Sequence, residues 1–67
     1  MRNRSCLLRF EASLGDGRCW AVFLRKDDQT VGDRWFFGPA SALECMTRWI
    51  VGGVAPESVD EAIYEPV

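Results

Sequence analysis

The sequence predicts an α+β fold: a three-stranded antiparallel β-meander, one amphipathic α-helix packed on one face of the sheet, and a short C-terminal helix or strand. Two observations carry this prediction. Residues 4–13 alternate apolar and polar side chains, and a glycine-rich turn divides them from an apolar run over residues 19–25. Residues 39–51 then combine a helix start, a sustained 3.6-residue period and a glycine stop.

The first strand, about residues 4–13, sets Cys6, Leu8, Phe10 and Ala12 on one side and Leu7, Arg9, Glu11 and Ser13 on the other. Such alternation marks a strand buried on one face. Leu14-Gly15-Asp16-Gly17-Arg18 is rich in residues that tolerate positive φ and reads as a turn. A three-residue loop, Gly15-Asp16-Gly17 with Gly17 left-handed, places Ala12 opposite Trp20, Phe10 opposite Val22 and Leu8 opposite Leu24. A two-residue Asp-Gly loop slips the pairing by one residue and sends the second strand's side chains to the other face. The three-residue loop is preferred because it gathers the large apolar side chains on one face.

The second strand covers about residues 18–25, and Lys26-Asp27-Asp28-Gln29-Thr30 reads as an exposed loop. A third strand follows over residues 31–37, weakened by Gly32. With a loop of about four residues, Trp35 faces Val22 and Phe37 faces Trp20, again on the apolar side. The competing arrangement turns the chain at Gly32-Asp33 and shortens the strand to residues 34–38.

The helix is predicted over residues 39–51. Pro39 has φ pre-set near the helical value and lacks an N–H that the first turn leaves unpaired. Ser41 and Glu44 have the spacing of a capping box. Ala42, Cys45, Met46, Trp49 and Ile50 form one apolar stripe, with Glu44 and Arg48 opposite it as an i,i+4 pair. Truncating Trp49 in that stripe to alanine is expected to cost about 3–5 kcal/mol. Gly52-Gly53 supplies the left-handed stop. In the acidic segment 54–67, Ser58 and Glu61 suggest a second capping box with Val59, Ala62 and Ile63 as its stripe. The alternative there is a strand at residues 62–64 on a sheet edge, with residues 65–67 frayed.

A chain of 67 residues is one small domain, and at this size only about 60% of the unfolded surface is buried on folding. Hydrophobic content of 48% is too high for a disordered tail. No apolar run approaches the ~20 residues of a membrane span, and the basic start leads into an alternating strand instead of a signal-peptide core. A cytoplasmic protein is expected. Three cysteines without CxxC spacing fit neither a disulfide framework nor a zinc site.

Net charge is −2, and its distribution is uneven: all eight Lys and Arg lie at or before Arg48, and only acids follow Gly53. That asymmetry fits either a contact between tail and body or two distinct partner surfaces. The absence of histidine removes the commonest general base and the usual imidazole ligand. Asp27-Asp28 beside Lys26 reads as a solvated turn, and Gly15-Asp16-Gly17 opens no helix and is followed by no GK[ST]. No enzyme activity, cofactor or metal is expected.

The predicted register leaves one sheet face open, with Arg9 beside Phe23 beside Arg34, Glu11 beside Ala21 beside Phe36, and Leu7 and Arg25 alongside. Arg9, Phe23, Arg25, Arg34 and Phe36 are therefore candidate partner-binding residues, since an aromatic ring between guanidiniums makes a stacking platform. The plainer expectation is that arginine stems cover exposed rings, or that the tail folds over this face. Glu57, Asp60, Glu61 and Glu65 form a second candidate surface, suited to a basic partner or simply solvated. The outward helix face offers little beyond Glu44, Thr47 and Arg48, so recognition is expected elsewhere.

In size and build the chain resembles the stand-alone inhibitors encoded by phages and mobile elements, such as anti-CRISPR and antirestriction proteins. The resemblance implies a small non-enzymatic protein–protein interaction module that blocks a larger nucleic-acid-handling complex. A single-stranded nucleic-acid-binding domain using the open face is the alternative, and a homodimeric structural protein the second.

Overall fold

The computed structural model describes residues 4–11 and 15–64, so Ala12, Ser13 and Glu65 lie outside the described residues. The chain runs β1 (Arg4–Phe10), β2 (Trp20–Lys26), β3 (Gln29–Phe36), α1 (Pro39–Val51), β4 (Ala55–Val59) and a 3-10 turn, η1 (Glu61–Tyr64). The fold is α+β, with one helix on a four-stranded mixed sheet in the order β3-β2-β1-β4. The predicted meander is present, and β4 extends it by pairing parallel to β1.

The first hairpin keeps its predicted faces in a register two residues away from the predicted one. Phe10 faces Trp20, Leu8 faces Val22 and Cys6 faces Leu24. The loop is longer than three residues, because the Glu11 N–H donates to the Cys19 carbonyl at 2.6 Å. Two interactions favour this arrangement. The Phe10 and Trp20 rings meet edge to face at 5.1 Å, and Asp16 folds the turn by accepting from the backbone N–H of Arg18 at 3.1 Å. Gly17 takes the expected left-handed conformation, φ 91°.

The second hairpin departs further. Asp27 and Asp28 both have positive φ, 52° and 66°, and form a two-residue turn that sets Lys26 opposite Gln29. Primed turns of this kind match the right-handed twist of the flanking strands, and aspartate tolerates the left-handed region better than most residues. One residue further into β3 the register shifts: Thr30 faces Arg25 but Gly32 faces Leu24, leaving Val31 as the extra residue of a bulge. That single insertion reverses the strand. Trp35 faces Ala21, on the side away from the helix, while Arg34 and Phe36 face Val22 and Trp20 on the helix side. The predicted placement of Trp35 and Phe37 in the core, and of Arg34 and Phe36 on the open face, is corrected by this bulge.

Helix α1 begins at Gly38, whose extended backbone leads into Pro39 without any side-chain cap. Ser41 lies inside the helix, so the predicted Ser41–Glu44 box does not form. The C-terminus follows prediction: Gly53 is left-handed at φ 107°, its N–H donates to Ile50 O, and the Val54 N–H donates to Trp49 O. This paired closure ends the helix and buries Val54 beneath it. The core consists of Cys6, Leu8, Trp20, Val22, Ala42, Met46 and Val54, with Leu24, Phe36, Cys45 and Trp49 partly buried against it. Ile50, expected in that stripe, is exposed.

The acidic segment is an edge strand followed by a turn, and no Ser58–Glu61 capping box forms. Pro56 is tolerated in β4 because an edge strand can leave its missing donor on the solvent side. Asp60 ends the strand: its N–H donates to Leu8 O at 2.8 Å, and its carboxylate accepts from the N–H of Ala62. Ala62 and Ile63 of η1 then pack against the core.

Candidate interaction surfaces

The sheet face turned away from α1 carries Leu7 and Arg9 from β1, Ala21, Phe23 and Arg25 from β2, and Asp33 and Trp35 from β3. Phe23 and Trp35 meet edge to face at 5.9 Å, and the Trp35 indole N–H donates to Asp33 Oδ2 at 3.3 Å. Leu7 and Ala21 are buried beside these rings. Of the five residues predicted for this face, Arg9, Phe23 and Arg25 are present, and Arg34 and Phe36 lie on the opposite side. Both remaining guanidiniums face carboxylates. Arg9 lies 3.4 Å from Glu11, and Arg25 lies 3.6 Å from Glu57 while also donating to the Asp28 carbonyl. The face is aromatic but close to charge-neutral, which weakens its attraction for phosphates.

Two members of the acidic set are built into the sheet. Glu57 is the bulged residue of β4, and its carboxylate accepts from Ser5 Oγ at 2.6 Å and reaches Arg25. Asp60 accepts from the backbone N–H groups of Ala62 and Phe10, and these bonds hold its pKa below the ordinary carboxylate value. Glu61 is exposed, and Glu65 lies outside the described residues. The segment therefore makes the contact between tail and body that the charge asymmetry left open.

The helix presents an apolar surface on the outward face, which was expected to offer little beyond Glu44, Thr47 and Arg48. Ala40, Leu43, Thr47 and Val51 recur at i, i+3, i+7 and i+11, and they line a shallow groove of about 560 Å³ with Glu44 and Arg48 along one side. Leu43 is 42% exposed and Val51 82% exposed. Thr47 adds little polarity there, because its hydroxyl donates back to the Leu43 carbonyl at 2.8 Å. The spacing is present in the sequence, but it is less apolar than the stripe of Cys45, Met46 and Trp49 on the other side. Phe37 adds another exposed ring just before the helix, at 71%.

A second groove, of about 460 Å³, lies between β3 and α1. Arg34 projects into it from β3, with its guanidinium 5.9 Å from the centre of the Trp49 ring and an N–H donated to the Asp33 carbonyl at 2.7 Å. Arg48 and Glu44 flank it as an exposed i,i+4 pair 3.4 Å apart. Cys45 also lines this groove. Burial pushes its thiol pKa up, and the charges of Arg34 and Arg48 pull against that shift without cancelling it.

Among the described residues no cluster of three or more His, Cys, Asp or Glu side chains is arranged to hold a metal. No helix among them is long and apolar enough to cross a membrane. No protein-family model, curated protein or solved structure matches the chain.

Proposed function

We propose that this chain is a non-enzymatic protein–protein interaction module that docks on a partner protein through the outward face of α1. The observation behind this reading is the apolar stripe of Ala40, Leu43, Thr47 and Val51, left uncovered on a helix that packs on the sheet through Ala42, Met46, Cys45 and Trp49 on its other side. Helix-in-groove recognition uses anchors at this spacing, flanked by charges that set orientation. Glu44 and Arg48 occupy that flanking position. The inhibitors encoded by phages and mobile elements, which the chain resembles in size and build, are one class of protein that works by such docking.

A nucleic-acid-binding function finds less support, because Arg34 and Phe36 are on the helix side and Arg9 and Arg25 face carboxylates. The test is co-purification from the native cells using wild type and a Leu43→Asp/Val51→Asp double variant whose folding is verified by circular dichroism. A specific partner, retained by wild type and lost by the variant, is expected. Identical partners for both proteins rule out this face, and salt-sensitive oligonucleotide binding without a protein partner favours the nucleic-acid alternative.

A further inference from the structure

The groove between β3 and α1 has features that an ordinary solvated surface lacks. Its main cation is held in place from two directions: the Arg34 guanidinium lies over the Trp49 ring and donates to the Asp33 carbonyl. Among the described residues Arg34, like Arg4, forms no ion pair, whereas Arg9, Arg18, Arg25 and Arg48 each face a carboxylate; Arg34 differs from Arg4 in lying over an aromatic ring. An arginine fixed on an aromatic ring has given up part of its side-chain freedom before any ligand arrives. Its remaining donors keep the fork geometry that matches a carboxylate. Arg48 stands across the groove, tied only to Glu44 through an exposed contact of 3.4 Å that an incoming anion can exchange.

We propose that this groove is a carboxylate-binding site that receives an acidic side chain of the docked protein, held by the Arg34 fork and assisted by Arg48. The inference rests on the docking role of α1, because the groove shares Glu44 and Arg48 with the apolar stripe, so one acidic-and-apolar segment can reach both. Leu43 and Val51 would take the apolar part of that segment and Arg34 its carboxylate. Charge complementarity selects an acidic occupant: the groove holds two guanidiniums against one carboxylate, Glu44. A nucleobase is less suited, because Arg34 itself lies over the indole ring on which a base would stack.

Binding is tested by NMR titration with an acetylated, amidated Glu-Leu-Glu peptide, following the Arg34 Nε–H and Trp49 indole N–H signals. Both signals are expected to move with the Glu peptide and to stay still with its Gln-Leu-Gln counterpart. Arg34→Gln should weaken binding about three- to tenfold, and Arg34→Lys, which keeps the charge and loses the fork, should fall between it and wild type. Glu44→Gln provides the decisive control, because it removes the competing carboxylate and should tighten binding about twofold. A merely structural role for these residues would not predict that gain.

Failure of the Glu peptide to move either signal overturns the carboxylate site. That result leaves the helix-docking reading to the Leu43 and Val51 variants. Stronger shifts with a short single-stranded oligonucleotide than with the peptide overturn it in favour of a phosphate ligand. Equal binding by wild type and Arg34→Gln also overturns it.

Discussion

Asp60 ties the two ends of the fold together: its Oδ2 accepts the backbone N–H of Phe10 at 3.1 Å, across a sequence separation of 50 residues. The other carboxylate oxygen accepts from the Ala62 N–H at 3.0 Å, so one side chain closes the β1–β4 edge and opens η1. Both bonds favour the charged form and lower its pKa in the folded chain. A folded pKa below the unfolded one stabilises the native state above about pH 3.9, the ordinary value for aspartate. That contribution is lost as the pH falls through the folded value. Thermal unfolding should therefore show a loss of stability below about pH 4, and an Asp60→Asn variant should show a smaller loss over the same window. Because Asp16 shifts in the same direction, the comparison must be made against wild type. Equal slopes for the two proteins would remove Asp60 as a source of acid sensitivity.

Core truncation separates two positions that the sequence pattern treats alike. Met46 is 1% exposed, so Met46→Ala should cost about 2–5 kcal/mol in urea unfolding. Trp49 is only half-buried and carries Arg34 over its ring. Trp49→Ala should therefore fall below the ~3–5 kcal/mol expected for a fully buried aromatic residue. A larger loss at Trp49 than at Met46 would mean that the indole anchors more of the core than its exposure indicates.

The parts of this fold that were legible in sequence are those written as local periodicity. Alternation in β1 gave its faces, and those faces survive a register error because the error was two residues, an even number. The glycine closure of α1 was likewise visible, since left-handed Gly53 has a local cause. Strand β3 was misplaced because a bulge at Val31 leaves no periodic trace and reverses every side chain after it. Strand β4 is not legible in the sequence, because Pro56 and a run of acids lack strand character and the segment becomes a strand through pairing with β1. The same bulge carries Arg34 to the helix side, and its stacking on Trp49 has no local signal because it depends on two elements meeting in space.

The Asp27-Asp28 turn carries strain that substitution can relieve. Both residues sit in the left-handed region, where glycine is free of the β-carbon clash and asparagine is better suited than most residues. Replacing the pair by Asn-Gly should raise stability by about 0.5–1 kcal/mol, and Asp27→Val should lower it by more than about 1 kcal/mol. Chemical denaturation of the three proteins checks both signs. An Asn-Gly variant no more stable than wild type would show that the aspartates are held at these angles without strain.

The bulge itself can be removed. Deleting Val31 extends the pairing set by the tight turn, in which Thr30 faces Arg25, and brings the residue after the deletion opposite Leu24 without an insertion. If the turn stays as it is, each side chain from Asp33 onward keeps its partner on β2, because the deletion removes only the unpaired residue and leaves the strand's faces as they are. With Val31 present the bulge is what lets Gly32 pair with Leu24; without Val31 the same pairing needs no bulge, and only the local twist and bend are lost. Stability should change by less than about 1 kcal/mol, and the Arg34–Trp49 contact should persist in the NMR spectrum of the deletion variant. Inserting one residue after Gly32 instead should be far more damaging. It shifts Arg34 and Phe36 off the helix side and brings Asp33 toward the core, where an unpaired carboxylate is strongly disfavoured. A loss above about 2 kcal/mol is expected for the insertion. Similar losses for the deletion and the insertion would mean that the bend at Val31, and not the facing pattern beyond it, holds β3 against the helix.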